Sequence, residues 1–114
     1  MSDSLEPMLA LLAYLPAASR EGMVRMYCAA LKEQMALIAA ALEQEPSQAL
    51  GALHKISGAA GMMRDQAMSQ AARATEEALE SGDLELARTT CWPALQRCAE
   101  ATLEGLAQRF PAAG

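Results

Sequence analysis

Apolar residues recur along this chain at intervals of three and four, the period of a helix with one buried face. The clearest run is Val24, Cys28, Leu31, Met35, Ile38 and Leu42, spaced 4, 3, 4, 3 and 4. It predicts a long amphipathic helix over about 19–45, with Ser19 as its N-cap and Pro46 as its stop. Ahead of it, Leu5 to Leu15 is a short apolar segment with Pro7 in its first turn and Pro16 just past its end, which reads as a short helix over 5–15. After it, Pro46 and Ser47 start a helix over 47–63 whose stripe is Ala49, Leu53, Ile56, Ala60 and Met63. Arg64 and Asp65 turn the chain into a helix over 65–81, which buries Met68, Ala71, Thr75 and Leu79 and leaves Arg73, Glu77 and Glu80 in water. Gly82 ends that helix, and Asp83 caps the last one, over 83–110, on the stripe Trp92, Leu95, Ala99, Leu103, Leu106 and Phe110. Pro93 is expected to kink it one turn in, and Pro111 and Gly114 to mark a frayed tail.

No stretch alternates with period two, and there is no internal repeat or long linker. Four main helices joined by a few residues each predict an all-α fold. The expected architecture is an up-down-up-down antiparallel four-helix bundle with a short extra N-terminal helix, in a single domain over 1–114. A hydrophobic fraction of 53% is enough for one core, and with only 4% aromatics that core is built from Ala, Leu and Met, which lets helix axes lie close.

Charge and cysteine content narrow the function. A net charge of −5 without any basic run argues against nucleic-acid binding, which needs clustered Lys and Arg. Cys28, Cys91 and Cys98 are an odd count with no close pair, so they suggest neither a disulfide framework nor a zinc site and are expected to be buried small hydrophobes. Asp3 and Glu6 stand where a secretion signal would be basic, and no apolar run approaches a membrane span. A cytoplasmic, monomeric, diffusible protein without membrane attachment is expected.

The one histidine, His54, points away from the apolar stripe of its own helix, toward solvent. Gly51, Gly58 and Gly61 lie three residues before it, four after and seven after, on its own face, and leave it bare. Each glycine inside a helix costs about 0.8–1 kcal/mol relative to alanine. Either another helix of this chain packs closely there, or a partner protein must come down onto the imidazole. The second is favoured, since close internal packing would bury His54 unpaired.

His54-Lys-Ile-Ser-Gly58-Ala-Ala-Gly resembles the His-x-x-Lys-Gly signature of histidine-containing phosphotransfer (HPt) domains, and the order of helices on either side is also that of the family. The resemblance covers nearly the whole chain. It implies that His54 is the phosphoacceptor, with Gly58 on the family's glycine, and that receiver domains of response regulators and hybrid histidine kinases are the partners that would dock on the face of Gly51, Gly58 and Gly61. It implies further that Glu76, where the family often has Glu or Gln, accepts from Nδ1 and leaves Nε2 as nucleophile; the alternative for Glu76 is a solvated helix-surface charge paired with Arg73. Two positions depart from the pattern. Ser57 stands in place of the family's lysine, and Arg64 where a second glycine often follows. Ser57 can donate a hydroxyl to a phosphoryl oxygen, and Lys55 or Arg73 can supply the charge, Lys55 being favoured because it is adjacent to His54 in sequence.

A lone exposed imidazole, with a ring nitrogen lone pair to attack an aspartyl phosphate, can carry a phosphoryl group without a cofactor of its own, the Mg²⁺ being expected on the receiver. No Gly-rich phosphate loop follows a strand, so kinase activity is not expected. The alternative is a non-catalytic adaptor or dimerisation module docking through the Gly51/Gly58/Gly61 face. A metal or redox bundle would need paired inward ligands that one histidine cannot supply.

Overall fold

The long apolar repeat forms a helix of 28 residues, α2 (Ala17–Gln44), with Val24, Cys28, Leu31, Ile38 and Leu42 buried along one side and Met35 half-buried. It starts earlier than the serine signal implied. Pro16 occupies the cap position and Ser19 lies exposed inside the first turn, because proline's fixed φ already suits a helix start. The computed structural model describes residues 5–113, and every regular element among them is helical. In chain order these are α1 (Glu6–Leu12), α2, α3 (Ala49–Met62), α4 (Gln66–Glu80), a single turn α5 (Leu84–Leu86) and α6 (Trp92–Arg109). Predicted Asp3 and Gly114 fall outside the described residues.

The first helix is shorter than expected, ending at Leu12 with turns through Leu15, and it buries Met8 and Leu12. A Cβ at Gly105 would stand 2.6 Å from Leu5 Cδ1, so the residue that precedes α1 lies against α6 where a glycine leaves room. Pro46, Ser47 and Gln48 form a separate 3₁₀ turn, so α3 begins at Ala49 and not at residue 47.

α3 and α4 end in the same way. Arg64 N–H bonds to Gly61 O and Asp65 N–H to Ala60 O, while Gly82 N–H bonds to Leu79 O and Asp83 N–H to Ala78 O, the paired bonds of a Schellman stop. That motif requires a left-handed residue, and the φ values are 60° at Arg64 and 83° at Gly82. The departure at Arg64 is therefore a strained residue in a glycine position. Arg64→Gly should stabilise the protein by about 1 kcal/mol, the left-handed penalty less part of glycine's extra chain entropy. A urea midpoint that does not rise would contradict this.

The last predicted helix, 83–110, is interrupted. Asp83 caps α5 by accepting from Leu86 N–H, and then Ala87–Cys91 widens into a π turn in which Trp92 N–H bonds to Ala87 O. Pro93 follows immediately. Having no N–H and a ring that crowds the carbonyl four back, it favours the wider turn over a plain kink. Within the widened turn Arg88 reaches across to Leu42 O and satisfies a carbonyl near the C-terminus of α2. The tail does not fray as expected: Ala113 N–H bonds to Phe110 O and Ala113 is buried. Of the cysteines only Cys28 is buried; Cys91 and Cys98 are half-buried, and all three are free thiols.

One feature had no signal in the residue pattern. Asp65, at the junction of α3 and α4, is 1% exposed, and its Oδ2 accepts hydrogen bonds from Tyr27 (2.7 Å) and Thr102 (2.8 Å). A single carboxyl group thus ties α2 and α6 to the α3–α4 turn. Burial, and then the Asp65 charge beside it, push the Tyr27 phenol far above its usual range, so it remains a donor.

Candidate functional site

The stripe Ala49, Leu53, Ile56, Ala60 and Met63 is buried as predicted and pins α3 against the core. Rotation of the helix then fixes what faces outward. His54 is 81% exposed on that outer side.

Opposite it, α4 presents Glu76, whose Oε2 stands 3.7 Å from His54 Nδ1 with the carboxylate side chain only 18% exposed. This is ion-pair reach, longer than a hydrogen bond. A carboxylate on that side favours the tautomer with its proton on Nδ1 and the lone pair on Nε2. Contacts descend α4 as they climb α3: His54 meets Glu76, and a Cβ on Gly61 would meet Ser69 Oγ at 3.9 Å.

The glycines answer the question posed by their cost. A Cβ on Gly51 or Gly58 would have no atom within 4 Å, and one on Gly61 would make only an ordinary contact. Packing among the described residues requires glycine at none of the three positions.

The remaining site residues fall on two flanks. Ser57 does not project a free hydroxyl; it donates back to His54 O at 3.3 Å. Ser69 Oγ donates to Ser57 O at 3.3 Å and accepts from Arg73 Nη2 at 3.1 Å. Arg73 is thus held on the α4 flank by Ser69, and it does not pair with Glu76. Lys55 lies on the other flank, in a groove between α2 and α3 with Gln44, Glu45, Gln48 and Gly51. The two candidate cations are not brought together.

Sequence reasoning missed Ser69, although its place four residues before Arg73 is a signal for an i, i+4 pair. It also missed an apolar surface. Met26 is 74% and Met62 80% exposed, and with Met23, Tyr27 and Ala59 they line a shallow groove between α2 and the C-terminal half of α3. Both exposed methionines lie off the buried stripes, which was their signal. Among the described residues no three His, Cys, Asp or Glu side chains are grouped to hold a metal, and no helix is long and apolar enough to cross a membrane.

A family model described as Hpt domain matches residues 22–109, which include α3, α4 and α6 and nearly all of α2. No curated relative and no solved structure gives a significant match.

Proposed function

Because this chain belongs to the Hpt domain family, we propose that it is a phosphorelay carrier in which His54 takes a phosphoryl group from an aspartyl phosphate on one receiver domain and passes it to another. Hpt domains serve histidine phosphotransfer in phosphorelay signalling and act with receiver domains. The observation that carries the assignment to His54 is its exposure at the centre of a face where Gly51 and Gly58 touch nothing. Packing among the described residues does not call for glycine there, and a partner that must bring its aspartate onto the imidazole would.

In the transfer, Nε2 attacks phosphorus, the N–P bond forms as the acyl phosphate P–O bond breaks, and the receiver's aspartate leaves as carboxylate. The proton stays on Nδ1. The ring becomes positively charged as it takes the phosphoryl dianion, and Glu76 closes from 3.7 Å to accept the Nδ1 hydrogen bond. Positioning and charge neutralisation are the whole of the chemistry, so the module has no kinase activity and no cofactor of its own; Mg²⁺ belongs to the receiver. The same reading takes the long helices as an up-down-up-down antiparallel bundle with α1 appended. It also takes the protein as a cytoplasmic monomer and the Met26–Met62 groove as part of the docked surface.

Incubation with a panel of phosphorylated receiver domains tests this: acid-labile, base-stable label should appear on the protein with at least one receiver, and its absence with all of them would overturn the reading. Binding without label would instead favour the adaptor. Gly58 gives a second check. Gly58→Ala should stabilise the isolated domain by about 1 kcal/mol, since the methyl meets open space. Gly58→Gln should slow transfer at least tenfold by holding the receiver off the imidazole. Equal transfer rates for Gly58→Gln and the parent would remove the docking-face argument.

A further inference from the structure

A phosphoryl dianion on His54 would sit near the Glu76 carboxylate, on a chain whose net charge is −5, so a cation from this chain at the site would stabilise it once the receiver and its Mg²⁺ have left. Adjacency in sequence favours Lys55. The structure points elsewhere: Lys55 lies on the α2 flank, in the groove that also holds Glu45, whereas Arg73 is on the same helix and flank as Glu76.

Arg73 is also oriented, which Lys55 is not. Its Nη2 donates to Ser69 Oγ at 3.1 Å, and that hydroxyl donates in turn to Ser57 O at 3.3 Å. Ser69 is 3% exposed, so the anchor is rigid, while Arg73 itself is exposed. Ser57 is one helical turn beyond His54 on α3. The relay from Ser57 carbonyl through Ser69 to the guanidinium therefore holds a cation against the turn that follows the imidazole, delivered from α4 instead of from α3. A planar fork with one N–H engaged on a serine keeps donors for two phosphoryl oxygens, which a lysine ammonium matches less well.

We propose that Arg73 is the phosphoryl-binding cation of this site, with Ser69 as its positioning residue, and that together they supply from α4 the charge that Ser57 does not. Arg73 N–H groups donate to non-bridging oxygens of the phosphoryl group on His54 while Glu76 accepts from Nδ1. This rests on His54 being the phosphoacceptor.

The test uses the full chain and two donors, a phosphorylated receiver and the small molecule phosphoramidate, which needs no docking surface. With both, Arg73→Ala should slow formation of phosphohistidine about tenfold, Arg73→Lys should recover part of the rate, and Lys55→Ala should leave it within twofold. Ser69→Ala should fall between the parent and Arg73→Ala. A ³¹P titration of the phosphorylated protein separates binding from mere structure. A nearby guanidinium favours the dianion, so the second phosphoryl ionisation should move to higher pH in Arg73→Ala. Equal uptake and an unmoved titration in Arg73→Ala overturn this proposal while leaving His54 in place, and so does a larger loss in Lys55→Ala. No phosphohistidine on the parent with either donor overturns the assignment of His54 as well.

Discussion

His54→Gln should abolish acid-labile phosphoryl uptake from a phosphorylated receiver while changing stability by less than about 0.5 kcal/mol. The two halves of that result have separate causes. Glutamine keeps a polar side chain of similar reach but has no ring nitrogen with a free lone pair, so the attacking atom is gone and no neighbour can replace it. Stability is insensitive because the side chain is 81% exposed and its one close charged contact, Glu76 at 3.7 Å, is a partly solvated pair of the kind that contributes little. Label transfer followed by acid and base treatment reads the first half, and thermal or urea unfolding the second. Residual acid-labile label on the variant would mean that the phosphoacceptor lies elsewhere in the chain. A loss of several kcal/mol would mean that His54 supports the fold.

Asp65→Ala should do the reverse, destabilising the bundle by about 3–5 kcal/mol, the largest effect expected of any single substitution outside the apolar core. Its Oδ2 is the shared acceptor of Tyr27 and Thr102, both 4% exposed, and removing it strands two buried hydroxyls at about 1–3 kcal/mol each. Tyr27→Phe should cost only about 1 kcal/mol, because Asp65 then keeps Thr102 and leaves no orphan donor. Asp65→Asn, which keeps an acceptor oxygen, should lie between them. Urea unfolding of the three variants reads the series, and a loss below about 1 kcal/mol in Asp65→Ala would show that water replaces the carboxyl group at little cost. Any phosphoryl uptake that Asp65→Ala retains when folded, in the cold, would mark the residue as a brace for the α3–α4 hairpin and not as part of the chemistry.

What could be read without coordinates was whatever depends on local periodicity. The stripe of α3 follows from five residues at helical spacing, and once Leu53 and Ile56 are buried the outward direction of His54 is determined, because the helix is rigid at 3.6 residues per turn. The turn at Gly82 and the cap at Asp83 were legible for the same reason: each satisfies backbone groups within a few residues of itself. Pro93 was legible as the site of a kink, but the interruption and the π turn before it were not, since the wide turn occurs together with the reach of Arg88 to α2.

The rest depends on pairs far apart in the chain, and spacing carries no information about them. Asp65 looked like a turn residue because short polar side chains at helix ends normally face water. Only the meeting of Tyr27, 38 residues earlier, and Thr102, 37 later, makes burying it favourable. The flank to which each of Lys55 and Arg73 goes was undecidable for the same reason. Lys55 is adjacent to His54 in sequence but a helix turns adjacent side chains about 100° apart, sending it to the α2 flank, while Arg73 is brought in by the register of α3 on α4 and fixed through Ser69. The sequence by itself determined which histidine is exposed and on what kind of face. Which side chains surround it was decided by how two helices pack, a matter of tertiary register that the residue pattern of one helix cannot encode.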